Sequence, residues 1–199
     1  MSKELRCLTV LLVGILMSQS AYAESPALQD LKSQIARVQQ VLVDPKFADP
    51  QKRDERRRLA LAILHQIFDF DEMSRRSLGA NARRYSDRLP EFTPLFVSLL
   101  EQTYMDKLEE NGDAKIEYIK ELVDGDFAEI QTKTKIKDGT EYSINYKLNL
   151  GPSGWRVYDV IGDGVSVVNN YRAQFDRFLS KKSFDELLQT LREKKSNVS

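Results

Sequence analysis

The stretch YDVIGDGVSVVNNYRAQF, residues 158–175, passes from a strand pattern through a Gly-Asp-Gly break into a helix pattern. This order is typical of loops that bind nucleotide phosphates. A dinucleotide fingerprint, however, requires a third glycine where Val167 stands, and the dipeptide Gly-Lys occurs nowhere in the chain. We therefore expect no phosphate at this turn, which instead directs apolar side chains of the strand and of the helix toward one interior.

The region before this turn alternates apolar and polar residues with a period of two, which predicts β-strands. Four strands are expected, at 115–123, 127–136, 141–150 and 155–161. Short turns at 137–140 and 151–154 predict hairpins, and successive hairpins form an antiparallel meander. The fourth strand is apolar on both sides, with Trp155, Val157 and Ile161 on one side. Such a strand is buried on both faces or borders a cavity.

Helical periodicity covers the first half of the chain and returns after the quoted turn. Helix start signals occur at Ser25, Asp69 and Ser183, and the last two have a glutamate three residues later, as in a capping box. Another helix is expected from about Pro90 to Glu110, with Thr93 as an alternative cap. These elements predict an α+β domain, in which N-terminal helices precede a twisted antiparallel four-stranded meander and C-terminal helices pack back onto it.

Residues 1–23 have the pattern of a secretory signal peptide, with a short basic start, an apolar run over 7–17 and Ala-Tyr-Ala before a cleavage site. The apolar run is too short to span a bilayer. We expect export, cleavage after Ala23 and one domain over 24–199. The only cysteine, Cys7, would be lost with the peptide, so we expect neither disulfides nor thiol chemistry.

Charge and reactive side chains argue against several function classes. Lys plus Arg and Asp plus Glu each total 30, whereas a nucleic-acid-binding domain carries a basic excess. His65, the only histidine, is expected at the surface, and the chain contains no Gly-x-Ser-x-Gly elbow. Asp159 is the one acid that we expect to enter the core with hydrogen-bond partners. The basic run at 52–58 is interpreted as a solvated face, with a patch for anionic lipid headgroups or an acidic partner as the alternative.

Several segments resemble the MlaC-like family of periplasmic phospholipid-binding, toluene-tolerance proteins. The family's C-terminal signature is a tryptophan strand ending in Tyr-Asp, a Gly-Val-Ser turn and an Asn-Tyr-Arg-x-x-Phe helix. The matching residues are Trp155, Tyr158, Asp159, Gly164, Val165, Ser166, Asn170, Tyr171, Arg172 and Phe175. FDFDEMSRRSLG at 68–79 and LFVSLLEQTYMDKL at 95–108 resemble two further family segments, so the resemblance covers nearly all of the mature chain. LPEFTP at 89–94, with two prolines, departs from the family pattern.

The resemblance implies a curved antiparallel sheet with helices packed across it, enclosing a deep apolar pocket for acyl chains. It also implies a carrier of phospholipid through the periplasm between the inner and outer membranes. Such a carrier is the soluble component of an ABC-type lipid transport system that maintains outer-membrane lipid asymmetry. The implied partners are phospholipid, an inner-membrane lipid ABC transporter with an MCE-type ring, and an outer-membrane lipoprotein complex. We expect a monomer with no catalytic residue, no metal and no cofactor apart from the bound phospholipid cargo.

Within such a pocket we predict contacts between acyl chains and a set of apolar side chains from both sheet and helices. They are Phe96, Leu100, Ile144, Tyr146, Leu148, Val165, Val168 and Phe175. The sequence pattern alone fits an ordinary filled core equally well, and the resemblance favours a lumen. Arg75, Arg76 and Arg172 are candidates for contacts at the rim or with the headgroup.

Two alternatives stay open on the sequence alone. One is an isomerase-like or cyclase-like enzyme that acts on a small ligand, for which Tyr146, Tyr158 and Asp159 are the polar groups that the sequence offers. The other is an envelope adaptor module with a filled core.

Overall fold

The computed structural model describes residues 24–196, and the predicted signal peptide at 1–23 lies outside the described residues. The helices are α1 Pro26–Val43, α2 Arg53–Ile67, α3 Phe70–Leu78, α4 Asn81–Arg84, α5 Leu89–Glu110, α6 Val167–Leu179 and α7 Phe184–Ser196. Short 3₁₀ turns lie at Pro45–Phe47, Pro50–Lys52 and Ser86–Arg88. The strands are β1 Lys115–Asp124, β2 Phe127–Lys135, β3 Glu141–Gly151, β4 Gly154–Gly162 and β5 Val165–Ser166. Within the described part, no helix is both long and apolar enough to cross a bilayer.

The strands form one antiparallel sheet in the order β1-β2-β3-β4-β5. The α+β class and the meander are therefore confirmed, but the predicted count of four strands is wrong by one. Asp163 and Gly164 have φ angles of +46° and +83°, so the chain reverses and Val165 pairs with Gly162. A strand of two residues is too short to produce a periodic sequence signal.

The predicted helix starts are confirmed by their hydrogen bonds. The Ser25 hydroxyl accepts from the N–H of Leu28, and the Asp69 carboxylate accepts from the N–H of Glu72 at 3.0 Å. Ser183 and Glu186 form a capping box. The Ser183 hydroxyl accepts from the N–H of Glu186 at 3.2 Å, and the Glu186 carboxylate accepts from the N–H of Ser183 at 2.8 Å. A side-chain cap of this kind contributes about 1 kcal/mol of stability.

Helix α5 begins at Leu89 and continues through Pro94, so the alternative start at Thr93 is wrong. Proline has no N–H to donate, which leaves the carbonyl of Pro90 without its usual partner one turn later. Pro90 lies in the first turn, at the wall of an open surface cleft. The helix therefore tolerates Pro94 close to its start.

A bulge in β4 shifts the side-chain pattern of that strand. Lys147 pairs with Asp159 and Leu148 pairs with Val157, which leaves Tyr158 unpaired. An extra residue in one strand reverses the faces of all residues beyond it. The predicted row of Trp155, Val157 and Ile161 is therefore wrong, because Val160 takes the place of Ile161.

Helices pack on both faces of the sheet, but on the outer face they pack mainly against β4. The inner face carries Ile130, Leu148 and Val157, which pack against α1 and α2 in one buried cluster. The outer face of β4 packs against α3 and α6, and a second cluster joins α3, α5, α6 and α7. This second cluster is rich in aromatic rings and is called the helical cluster below.

Asp159 links the sheet to α6. It is 5% exposed, and its carboxylate accepts hydrogen bonds from the hydroxyl of Ser166 at 2.6 Å and from the N–H of Val168 at 3.1 Å. Its negative charge lies beside the first turn of α6, where it also interacts favourably with the helix dipole. The predicted structural role of this acid is confirmed.

Candidate functional site

Four of the predicted tail-contact residues lie on the inner face. Ile144, Tyr146 and Leu148 alternate along β3, and Val165 on β5 belongs to the same face through its pairing with Gly162. Leu148 is 1% exposed, Ile144 and Tyr146 are partly buried, and Val165 is 62% exposed. The inner face is therefore one continuous apolar surface that runs from the core to solvent.

The solvent end of this surface is open at Gly162. One row across the sheet contains Thr132, Ile144, Gly162 and Val165. A Cβ atom built on Gly162 meets no other atom within 4 Å. The missing side chain leaves space between Ile144 and Val165, and sequence periodicity gave no indication of it.

Polar groups also lie on the inner face. Tyr118 is opposite Thr132 on the neighbouring strand, and the Thr132 hydroxyl donates to the carbonyl of Ile144 at 2.7 Å. Burial raises the pKa of Tyr118 to about 12, with a smaller contribution from the charge of Glu24. Burial also raises the pKa of Tyr146, and the nearby Tyr118 adds to the effect. Both phenols are therefore neutral at physiological pH.

The other four predicted residues, Phe96, Leu100, Val168 and Phe175, lie in the helical cluster. The ring of Phe96 makes edge-to-face contacts with Tyr171 and Phe175, at centroid distances of 5.1 and 5.7 Å. Val168 is fixed through the bond from its N–H to Asp159, on the outer face. The structure thus does not bring all eight residues into one site, and contact of these four with acyl chains stays a prediction.

The three predicted rim arginines surround the junction of α3 and α6. Arg75 and Arg76 both donate to Glu72, and the Arg76 guanidinium lies 4.1 Å from the ring centre of Tyr158. Burial alone would raise the pKa of Glu72, but the hydrogen bonds from both arginines outweigh it and lower that pKa. Arg172 donates from Nε to the carbonyl of Arg76 at 2.9 Å.

Gly79 allows α3 and α6 to approach each other closely at this junction. It has a φ of +55°, and an added Cβ would lie 3.1 Å from Cδ of Arg172. Arg76 and Arg172 therefore connect two helices, whereas the side chain of Arg75 is 55% exposed. Of the three, Arg75 is the one best placed to meet a ligand or partner.

The basic run at 52–58 faces acids of α5. Arg53 contacts Glu109 at 2.9 Å, and Arg57 contacts Asp106. The side chain of Glu109 is 5% exposed and also lies 3.7 Å from Arg56. The run is therefore partly neutralised by an ion-pair network between α2 and α5, in addition to being solvated.

Two surface clefts flank the start of α5, with volumes of about 430 and 410 Å³. They share Asp71 and Thr93, and neither is lined by any of the predicted tail-contact residues. His65 lies in the first cleft, half-exposed as predicted and 2.9 Å from Glu101. Within residues 24–196, no group of three or more His, Cys, Asp or Glu side chains could hold a metal ion.

The three polar residues considered for an enzyme, Tyr146, Tyr158 and Asp159, lie on opposite faces of the sheet. Tyr146 lies on the inner face, whereas the bulge places Tyr158 and Asp159 on the outer face. Asp159 is moreover occupied by its bonds to Ser166 and Val168. These three groups do not converge on one substrate position.

The architecture is that of an α+β domain in which helices cover the inner face of one antiparallel sheet and also pack against β4 on its outer face. The model of the MlaC protein family matches residues 32–193, and the chain belongs to this family. Its fold is similar to the crystal structure of a phospholipid-binding protein from Ralstonia solanacearum, which was solved in complex with a phospholipid. The TM-score is 0.74 at 21% identity, over 87% of this chain and 98% of that chain. A comparison with curated proteins found no match.

Proposed function

We propose that the protein binds a phospholipid with its acyl chains on the inner face of the sheet and carries it through the periplasm. The observation that carries this proposal is the apolar surface that continues from the fully buried Leu148 to the exposed Val165. An apolar surface of this kind next to open space is typical of a binding site. Membership of the MlaC family and the fold shared with a phospholipid complex support the same function.

The energetics of an aqueous crossing require such a surface. Burial of one methylene is worth about 0.8 kcal/mol, so a chain of roughly 16 carbons exposed to water costs on the order of 13 kcal/mol. A carrier lowers this barrier if it offers a surface about as apolar as the bilayer. Ile130, Leu148, Val157 and Val160 provide that surface on β2, β3 and β4.

Helix α1 controls access to the buried end of this surface. It is hydrogen-bonded to β1 near its start, where the Ser25 hydroxyl donates to Glu121 at 2.7 Å, and to Ala114 through Gln39 at 2.7 Å. Between these two points its contacts with the cluster are apolar, through Leu28, Leu31 and Val38. Acyl chains that enter beside Gly162 would therefore displace apolar contacts and leave both hydrogen-bonded ends in place.

We further propose that the protein is the soluble component of an ABC-type lipid transport system that maintains outer-membrane lipid asymmetry. Its partners would be an inner-membrane transporter with an MCE-type ring and an outer-membrane lipoprotein complex, and it would act as a monomer. Membership of the MlaC family supports this assignment. The bound lipid is cargo, and the function requires neither catalysis nor a cofactor.

One experiment separates this proposal from its alternatives. Protein purified from the periplasm is extracted with organic solvent, and the extract is analysed by mass spectrometry. Stoichiometric phospholipid supports the carrier. Conversion of a small molecule into a product would instead indicate an enzyme. A protein that carries no lipid because its core is filled would indicate an adaptor.

A further inference from the structure

Three hydroxyl groups on the inner face have no hydrogen-bond partner among residues 24–196. They belong to Tyr118, Thr134 and Tyr146. Thr134 is only 7% exposed, and its Oγ1 atom is buried. A buried hydroxyl without a partner destabilises a protein, so most such groups are paired. Of the three, only the Thr134 hydroxyl is a buried atom without a partner, whereas Tyr118 and Tyr146 are partly buried. Thr132, on the same face, is satisfied by the carbonyl of Ile144.

The register of the sheet gathers these hydroxyl-bearing residues around Thr132. Tyr118 lies directly opposite Thr132 on β1, and Thr134 is the next residue on the same face of β2. Tyr146, opposite Ile130, is the diagonal neighbour of Thr132 on β3. Diagonal neighbours on one face of a sheet are within reach of long aromatic side chains.

We propose that Tyr118, Thr134 and Tyr146 form a polar subsite that donates hydrogen bonds to the ester carbonyl oxygens of a diacyl lipid. This inference rests on the proposed function, because it concerns the same inner face. Such a subsite would make the protein selective for ester-linked over ether-linked lipids. An ether linkage has no carbonyl oxygen, and its own oxygen is a poorer hydrogen-bond acceptor.

The surroundings favour a neutral acceptor over the phosphate. Apolar side chains of Ile130, Ile144 and Val160 lie next to the three hydroxyls on the inner face. The nearby cation Lys32 lies over the ring of Tyr118 and is paired with Glu24. A buried anion needs a charged partner, whereas a carbonyl oxygen needs only a donor. Both phenols stay protonated at physiological pH and can donate, because burial raises their pKa.

The test is a competition between two lipids with the same headgroup and chain length, one a diester and one a diether. Delipidated protein is mixed with vesicles that contain equal amounts of both, and the bound lipids are counted by mass spectrometry. One hydrogen bond in such a site changes affinity by about fivefold. We expect wild type to prefer the diester by about fivefold or more, and Tyr146→Phe and Thr134→Val each to reduce this preference by about fivefold.

Tyr85→Phe is the matched control, because Tyr85 is also partly buried but packs against Phe184 in the helical cluster, away from the inner face. The Tyr85 hydroxyl is not part of the proposed subsite, so this variant should keep the wild-type preference. Equal loading of both lipids by wild type, or an unchanged preference in Tyr146→Phe, would overturn the subsite while lipid binding stands. Failure to load either lipid would remove the proposed function and the subsite with it.

A second measurement distinguishes a ligand subsite from a structural role. In the lipid-free protein the Tyr146 hydroxyl has no partner to lose, so Tyr146→Phe should have a Tm equal to or above that of wild type. A lower Tm in the lipid-free variant would show that the hydroxyl has a structural partner and would contradict the proposal.

Discussion

The carboxylate of Asp159 lies 3.1 Å from the backbone nitrogen of Val168 and accepts its hydrogen bond. This contact joins the fourth strand to the first turn of α6, across the Gly-Asp-Gly turn. The same carboxylate holds the hydroxyl of Ser166, which caps α6 by accepting from the N–H of Asn169 at 3.0 Å. One buried acid therefore fixes the angle at which the chain leaves the sheet.

Replacement of this acid should destabilise the fold. Asp159→Ala removes the acceptor of the buried N–H of Val168 and of the partly buried hydroxyl of Ser166. Each charge-assisted bond is worth about 1.5–3 kcal/mol, so we expect a loss of about 3 kcal/mol in the free energy of unfolding. Urea denaturation followed by circular dichroism measures the change. Asp124→Ala, at an exposed end of β1, should change it by less than about 0.5 kcal/mol. Similar values for the two variants would contradict the structural role of Asp159.

The Glu72 interaction with two arginines should appear in the pH dependence of stability. Hydrogen bonds from Arg75 and Arg76 lower the pKa of Glu72 below its ordinary value of 4.5. A group with a lowered folded-state pKa stabilises the protein above its unfolded-state pKa, and this contribution disappears as the pH falls through the lowered value. We expect the free energy of unfolding to fall below about pH 4.5 less steeply in Glu72→Gln than in wild type. Glu55→Gln, in the first turn of α2, is the control, and equally steep curves for wild type and Glu72→Gln would count against the interaction.

A charge at the solvent end of the inner face should expel lipid. Val165 is 62% exposed, so Val165→Glu should change the free energy of unfolding by less than about 0.5 kcal/mol. An acyl chain that covers this glutamate must desolvate its charge, at a penalty of several kcal/mol, and lipid content should fall about tenfold or more. Extraction and mass spectrometry measure the content. Leu122→Glu, 47% exposed on the outer face, should keep a normal content, and a normal content in folded Val165→Glu would remove Val165 from the site.

The faces of individual elements were predictable from the sequence, whereas their arrangement was not. Alternation along β3 placed Ile144, Tyr146 and Leu148 together because a strand has a period of two. The single-residue bulge at Tyr158 reversed the remainder of β4, and no composition signal marks such a bulge. Sequence periodicity also shows which side of a helix is apolar, but it does not show on which face of a sheet the helix packs. Phe96 and Phe175, for example, lie in the helical cluster, and their contact with acyl chains stays a prediction.

The exposed arginine of α3 should matter for transfer more than for storage. Arg75→Glu leaves the inner face unchanged, so lipid content should stay within about twofold of wild type while transfer between donor and acceptor vesicles slows. Arg172→Glu should in addition lose about 1 kcal/mol of stability, because the bond of Arg172 to the carbonyl of Arg76 is removed. A fluorescent-lipid transfer assay and thermal unfolding report the two effects. Equal losses of content and transfer rate in Arg75→Glu would argue against a rim role.

Filling the open space at Gly162 should obstruct the entrance to the inner face. Gly162 does not have a left-handed φ, and its Cβ position is free, so Gly162→Leu should fold with wild-type stability or better. The new side chain would project between Ile144 and Val165. An acyl chain would then have to pack against additional volume, at about 1–3 kcal/mol, which corresponds to a loss of roughly fivefold or more in lipid affinity.

Gly151→Leu is the matched control, because Gly151 also has a free Cβ position and an ordinary φ but lies at the opposite end of β3. Lipid binding that is reduced in Gly162→Leu and unchanged in Gly151→Leu places the entrance at β4 and β5. Equal binding by both variants would instead require the acyl chains to enter elsewhere along the interface between the sheet and α1.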